Sequence, residues 1–419
     1  MLLLPPSLQD WVPEGHLARF VSDLADTLDL SAIEETYTEE RGHPPYHPCM
    51  MVKLLVYAYC TGTYSSRRIA AKLTDSVAYR VLAAGNDPDY RTISDFRKRH
   101  SEALAGLFDQ VLRLCREAGL VKLGKVAVDG TKIKANASKH KAMSYDRMKL
   151  KEEVLQKEIR ELLQRAEAAD RDEDLRFGPD KRGDELPAEL ARRETRLKKI
   201  QEAKAALEQQ ARDKATAQGK DPDTARPEDK SQRNFTDPES KIQKTGDGFI
   251  QGYNAQATVD DTFQVIVAQH VTPVGNDVKE LEPAVGNIER VLGDKPEIVL
   301  ADAGYWSQTN AEFLMREGIE GYIATGRQKH REVTPPPPRG RPLGDMTLRE
   351  RMARTLRTVK GKRLYARRKA IVEPVFGQIK QARGFRRFLR RGVTNVQQEW
   401  ALVCAAHNIL KLRKAMALA

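Results

Sequence analysis

The sequence predicts an α/β core, a mixed sheet flanked by helices, with an all-helical segment before it and a helical hairpin inserted into it. Three observations point to this class. Apolar residues recur at helical spacing to about Leu120, and at Gly124 the period changes to strand-like alternation. With 143–234 set aside, the later elements run strand, strand, strand, helix, strand, helix, strand, helix. That order suits a mixed sheet, because a parallel partner needs a helical crossover. Third, a charged and helix-prone stretch from Met143 to about Gln218 follows directly on the first strand.

In chain order, residues 1–122 read as a helical domain. Met50–Thr61 is apolar and long enough for a buried helix, and Ser65–Asp75 and Ser76–Gly85 are short helices joined by a tight turn. Thr92–Gly119 places Phe96, Leu104, Leu107, Phe108, Val111, Leu112 and Cys115 at helical spacing. The two short helices carry Arg67, Arg68, Lys72 and Arg80 and resemble a helix-turn-helix, whose second helix would enter a major groove. A plain helical bundle with a basic solvated face fits the same residues.

The core is assigned to 123–142 and 235–419. Lys125–Ala137 is a strand pair or one long bent strand. Residues 143–234 form the inserted arm and a polar linker. Leu155, Ile159, Leu162, Leu163, Leu190, Leu197, Ile200 and Leu207 give a thin apolar stripe, broken by Arg176–Pro187, as in an antiparallel helical hairpin. Lys220–Arg233 is a loose linker. Strands are expected at Gly248–Val259, Phe263–Val271, Glu297–Ala301 and Gly321–Thr325. Helices are expected at Val278–Leu292, Gln308–Glu317, Ala366–Arg383 and Asn395–Met416. Within the core, 328–364 is a Pro-rich basic insertion around Pro335–Pro338.

Composition narrows the function classes. The 419 residues carry 71 Lys+Arg against 59 Asp+Glu, a formal charge of +12. Such a surplus favours a polyanionic partner, although a solubilising surface would look the same by charge alone. No segment approaches the apolar run of about 18 residues that a membrane helix needs. The opening MLLLPPSLQDW lacks a basic n-region and meets two prolines at once, so no signal peptide is expected. Cys49, Cys60, Cys115 and Cys404 lack CxxC spacing, so reduced thiols, no zinc site and a cytosolic location are expected.

Three carboxylates stand out. Asp129 lies within the first strand, in VAVDGT, and Asp302 ends the apolar strand IVLA. Glu373 sits in a helix among Ile371, Val372, Val375 and Phe376. A charge in that setting needs a partner, a metal or an exposed edge. Ligands of open α/β sheets gather at the carboxyl ends of strands, which suits Asp302. Hard oxygen ligands without a His/Cys cluster indicate Mg2+, with Mn2+ able to substitute. Two such ions about 3.5–4 Å apart serve in-line displacement at phosphorus. Each residue alone also fits a turn cap or an ordinary helix position.

Lys369, Glu373 and Lys380 are spaced to share a helix face. Beyond them Arg383, Arg386, Arg387, Arg390 and Arg391 interleave with Phe385 and Phe388, a pattern suited to phosphate or single-strand contact. Lys132, Lys134, Arg367 and Arg368 complete the expected DNA contacts. Tyr305 and Trp306 could stack on a displaced base or pack beneath the sheet edge. Gln251, Tyr253 and Asn254 lie on a strand expected beside Asp129. A Ser/His/Asp hydrolase is poorly supported, since GxSxG is absent and His270, His330 and His407 have no partner motif.

The set VAVDGTKIKANAS, GFIQGYNAQATVD, IVLADAGYW and RRKAIVEPVFGQIKQARGF resembles the DDE transposases of bacterial insertion sequences. HPPYHPCMMVKLLVYAYCTGTYSSRRIAAKL and PDYRTISDFRKRH are similar to the helical domain preceding their catalytic core. The resemblance covers nearly the whole chain in order. It implies an RNase H-like core, an acidic triad at Asp129, Asp302 and Glu373, Mg2+ dependence with two ions, and recognition of terminal inverted repeats. It also implies a bacterial, nucleoid-associated cytoplasmic enzyme acting on double-stranded DNA ends and target; a homodimer is expected because two ends must be paired, and no membrane partner is expected. The DxGY-like second motif is matched by Asp302, Gly304 and Tyr305. In the Tyr, Arg, Glu, Lys pattern of the third motif, Glu373 and Lys380 fit, Lys380 as a further catalytic residue. Lys369, however, holds the Arg place, and Tyr365 stands one residue early, with Arg367 and Arg368 nearby.

Overall fold

The computed structural model describes residues 8–37, 46–177, 188–246, 248–326, 336–340 and 344–417. Most of the break expected at Arg176–Pro187, part of the Pro-rich segment and His330 fall outside them. The chain divides into two compact units, 1–134 with 253–419, and 135–252.

The first unit begins with helices α1 (Leu17–Thr27), α2 (Ser31–Glu34), α3 (Pro48–Cys60), α4 (Ser66–Asp75), α5 (Val77–Leu82), α6 (Tyr90–Arg99) and α7 (Ser101–Glu117). Helix α3 starts on Pro48, which suits the first turn, and ten of its side chains are buried. The long helix expected over Thr92–Gly119 is two, because His100 ends α6 with its ring buried between Tyr37 and Phe96. Strand β1 (Lys125–Lys134) follows.

The second unit holds β2 (Ala142–Ser144), α8 (Tyr145–Phe177), α9 (Ala188–Ala217), β3 (Gln232–Asn234), β4 (Lys241–Thr245) and the first part of β5 (Gly248–Asp260). Helices α8 and α9 run antiparallel, since Glu158 meets Arg193 at 2.9 Å, Glu152 meets Lys204 at 2.8 Å and Tyr145 meets Glu208 at 2.8 Å. Tyr145, Met148, Leu155, Ile200, Ala203 and Leu207 form the seam between them. Leu163, from the expected stripe, is exposed instead. Lys241–Thr245 pairs antiparallel with residues 248–252, a strand absent from the sequence reading.

The first unit continues through the rest of β5, then β6 (Ile266–Thr272), α10 (Leu281–Leu292), β7 (Ile298–Ala301), α11 (Gln308–Arg316), β8 (Glu320–Ile323), α12 (Leu348–Arg357), α13 (Val359–Gly377) and α14 (Val393–Met416). Helix α12 was not expected from sequence; Thr347 and Glu350 close its first turn as a capping box. The sheet of this unit is ordered β6-β5-β1-β7-β8. Strand β7 lies parallel to both β1 and β8, while β5 and β6 are antiparallel. Val126–Val128 and Val299–Ala301 are buried without alternation, as strands covered on both faces are.

Helix α14 packs on α3, α7 and β6, so the N-terminal helices share a core with the sheet and do not form a separate unit. Asn408 ties α14 to β6 by accepting from the Ile266 N–H and donating to its carbonyl, both at 2.8 Å. The four cysteines are free. Burial raises the Cys60 and Cys115 thiols to about 12, so they stay uncharged.

His407 is buried and neutral. Its Nδ1 can only accept from Arg383 Nη2 at 3.2 Å, and its Nε2 can only donate to the Gln264 carbonyl at 2.9 Å. Burial, aided by the Arg383 cation, pushes its pKa from 6.5 down to about 3. Between those values the unfolded chain binds a proton that the native chain does not. Its stabilising contribution is therefore complete above pH 6.5 and is lost as pH falls toward 3, at up to about 1.4 kcal/mol per pH unit. Denaturant midpoints at pH 7 and 5 are expected to converge in His407→Gln relative to wild type. Equal pH dependence in both proteins would contradict this.

Candidate active site

The site begins midway along β1 and at the carboxyl end of β7. Val128 pairs with Ala301 in parallel register, so Asp129 and Asp302 occupy the next position on neighbouring strands. Adjacent strands lie about 4.8 Å apart. Asp302 leaves the strand and caps a 3-10 turn, Ala303–Tyr305, accepting from the Gly304 N–H at 2.7 Å. Asp129 accepts from the Gly130 N–H at 2.8 Å through Oδ1 and from Arg368 Nη1 at 2.9 Å through Oδ2. Burial raises the Asp129 carboxyl above the usual range. Arg368 and the Gly130 amide pull it back, and the Asp302 charge adds to the rise.

A further carboxylate stands here that sequence reasoning missed. Asp277 Oδ1 accepts from Asn254 Nδ2 at 2.6 Å and Gln256 Nε2 at 2.7 Å, and Lys132 Nζ lies 3.9 Å away. Gln256 Oε1 in turn accepts from the Tyr305 hydroxyl. Burial, then the charges of Asp277, Asp129 and Asp302, hold that phenol well above its usual pKa. The network leaves no room for Cβ atoms. One at Gly130 would lie 2.3 Å from Gln256 Nε2 and 2.6 Å from Asn254 Oδ1. One at Gly304 would lie 2.9 Å from Asp302 Oδ1. Asn254 Oδ1 is buried and has no hydrogen-bond partner among the described residues. Beside these groups, His270 Nε2 meets Glu280 Oε2 at 2.6 Å.

Helix α13 and the π turn that follows it supply the cations. Arg368 sits on its buried face with Leu364, Ile371, Val372 and Val375, and its guanidinium lies 6.0 Å from the Tyr365 ring. Arg368, and not Lys369, is thus the residue on Asp129; Lys369 is exposed. Lys380 Nζ donates to Thr131 Oγ1 at 3.0 Å and to the Lys132 carbonyl at 3.4 Å. The shared face expected for Lys369, Glu373 and Lys380 is not present. A π turn over Gln378–Ala382 shifts the helical phase and brings Lys380 against β1, while Lys369 and Glu373 face solvent. Glu373 makes no ion pair or hydrogen bond to a described residue. Among the described residues, no three His, Cys, Asp or Glu side chains form a ready metal cluster.

Other expected contacts divide by burial. Phe385 and Phe388 are core residues at 1% and 0% exposure, packed on each other with Tyr64, Tyr253 and Trp400, so they cannot stack on bases. Tyr305 is equally buried, and Trp306 is half-buried. Arg383 points inward to His407 and the Gln378 carbonyl, and Arg390 is held by Gln398 and Asn395. Burial lowers the pKa of both guanidiniums. Arg386 and Arg387 remain exposed, and their backbone joins the end of β1 at Lys134. Arg367 lies 3.4 Å from Asp261. In the N-terminal helices Arg67, Arg68, Lys72 and Arg80 are all exposed. Arg67 covers the Tyr90 ring at 5.1 Å, and α4 packs chiefly on α6, while the six-residue α5 buries Ala78, Tyr79 and Leu82. Gln251 lies in the second unit and donates to Ser240 Oγ at 2.8 Å.

The side-chain acceptors around Asp129 and Asp302 are oxygens, with the Asp277 carboxylate and the orphaned Asn254 oxygen nearby. That chemistry fits a hard divalent cation. Residues 6–99 match the model of a transposase domain, DUF772, and residues 215–409 match that of a transposase DDE domain. Asp302 and Glu373 fall inside the second match and Asp129 precedes it. No curated protein and no solved structure matches the chain. The DDE family implies an RNase H-like core, with which the mixed sheet and its flanking helices are consistent. The two matches in this order, together with that sheet, give the chain the architecture of a DDE transposase, a transposase domain followed by a transposase DDE domain.

Proposed function

We propose that the chain binds the terminal inverted repeats of an insertion sequence, cuts DNA there and joins the freed ends to a target, using Asp129, Asp302 and Glu373. The observation that carries this reading is that Asp129, within β1, and Asp302, just past the end of β7, each directly follow the paired residues Val128 and Ala301. Asp129 and Asp302 would hold Mg2+ or Mn2+, with Glu373 as third carboxylate. When bound, two such ions activate an attacking oxygen and stabilise the leaving one at phosphorus.

The protein's own groups orient and neutralise. Arg368 balances the charge of Asp129 and would place a cation beside a DNA phosphate at the site. Lys380, fixed on Thr131, sets a cation beside the reacting strand. Asn254 and Gln256, the latter held by Tyr305, orient Asp277 beside Lys132. Water first attacks the phosphodiester at the element's end, giving a 3′-hydroxyl and a 5′-phosphate. The 3′-hydroxyl then attacks a target phosphodiester, so one ester bond forms as another breaks. The N-terminal helices, through Arg67, Arg68, Lys72 and Arg80, hold the DNA, with Lys132, Lys134, Arg386 and Arg387 nearer the core, and α8 and α9 form an inserted arm. Two ends must be paired, so a homodimer is the working complex.

Incubating the protein and Mg2+ with DNA carrying the element's ends and a target plasmid tests the reading. Both cut ends and joined product are expected. Cut ends that accumulate without joined product would reduce the protein to a nuclease.

A further inference from the structure

The second unit contains a groove of about 580 Å3 between the end of α9, the segment 220–232 and β4. Lys214, Lys220, Arg226, Lys230 and Lys241 line it, against the single acid Glu228. None of the five cations has a carboxylate partner within ion-pair distance among the described residues, whereas the seam between α8 and α9 pairs its charges, Glu152 with Lys204 and Glu158 with Arg193. Beside the groove Arg233 and Lys241 are half-buried. Burial lowers the pKa of both, and the Arg233 charge lowers that of Lys241 further. Glu239 offsets part of the shift at Arg233, while the five cations lining the groove against one acid favour an anion.

The carboxyl end of α9 explains part of this. A helix end carries about half a negative charge, enough to favour Lys214 but not five cations drawn from three elements. A single small anion would balance only one or two of them. A DNA backbone presents a row of phosphates, one charge per roughly 1.7 Å of duplex.

We propose that this groove is a sequence-independent binding site for the phosphate backbone of duplex DNA. The identity of the ligand rests on the proposed transposase function, but the groove's charge does not depend on the catalytic assignment.

The test is fluorescence anisotropy of the full chain on a random-sequence duplex, titrated with salt in EDTA so that no cleavage occurs. Lys214→Gln with Lys230→Gln removes two exposed groove cations. Lys198→Gln with Lys199→Gln removes two exposed cations on α9 outside the groove. The groove variant is expected to flatten the log K against log salt slope by about 2, at roughly 0.9 per phosphate contact, and to bind about tenfold or more weakly. The control is expected to keep the wild-type slope, and both to melt as wild type does. Equal slopes in the two variants, whether both flattened or both unchanged, would overturn the proposal. Because binding is read without metal, a failed cleavage assay leaves this result standing and the reverse also holds.

Discussion

Asp302→Asn is expected to reduce end cleavage by about 1000-fold or more while leaving DNA affinity within about twofold. Asparagine keeps the size of the side chain and can still accept from the Gly304 N–H at 2.7 Å, so the 3-10 turn survives. What it removes is the negative charge beside Asp129, and with it a hard ligand. A thousandfold loss corresponds to about 4 kcal/mol of barrier, within what charge stabilisation at a transferring phosphoryl group supplies. The same change removes a like charge that helps raise the Asp129 carboxyl. Gel-based cleavage with a parallel binding titration measures both effects. A loss under tenfold would remove Asp302 from the chemistry.

The largest expected effect on stability belongs to Trp400. Its indole is fully buried, lies 6.3 Å from the Phe385 ring and donates to the Gln256 carbonyl at 2.9 Å. Trp400→Ala is expected to cost about 3–5 kcal/mol. Trp400→Phe keeps most of the apolar area and loses the hydrogen bond, a cost of about 1 kcal/mol plus the unmet carbonyl. Since the Gln256 side chain binds Asp277, the alanine variant is also expected to lower activity under conditions where it remains folded. Denaturant unfolding reads the stability change. A cost below 1 kcal/mol for the alanine variant would mean that α14 does not hold the core.

These two residues also show what was legible in the sequence. Asp302 stood out because Ile298–Ala301 is an unbroken apolar strand and a carboxylate at its end needs a reason. The order of strands and helices followed from period changes, which the chain displays over many residues. Phe385 and Phe388 misled, because two aromatics within a basic run have the same pattern whether they face bases or a core. Their burial depends on Trp400 and Tyr253, distant in sequence. The π turn at Gln378–Ala382 shifts the face of Lys380 without any residue that announces it. Asp277 reads as an ordinary residue before a helix; its importance comes from two amides on a strand more than twenty residues earlier. The break at His100 depends on packing against Tyr37, not on a local helix breaker.

Glu373 is proposed to complete the set begun by Asp129 and Asp302, and its side chain faces solvent. The most direct measurement is cleavage and strand transfer by Glu373→Gln, with Mg2+, on DNA carrying the element's ends, beside a binding titration. The account predicts a variant that binds as wild type does and neither cuts nor joins. A variant that cuts as well as wild type would contradict it and place the third ligand elsewhere, with Asp277 the next carboxylate to replace.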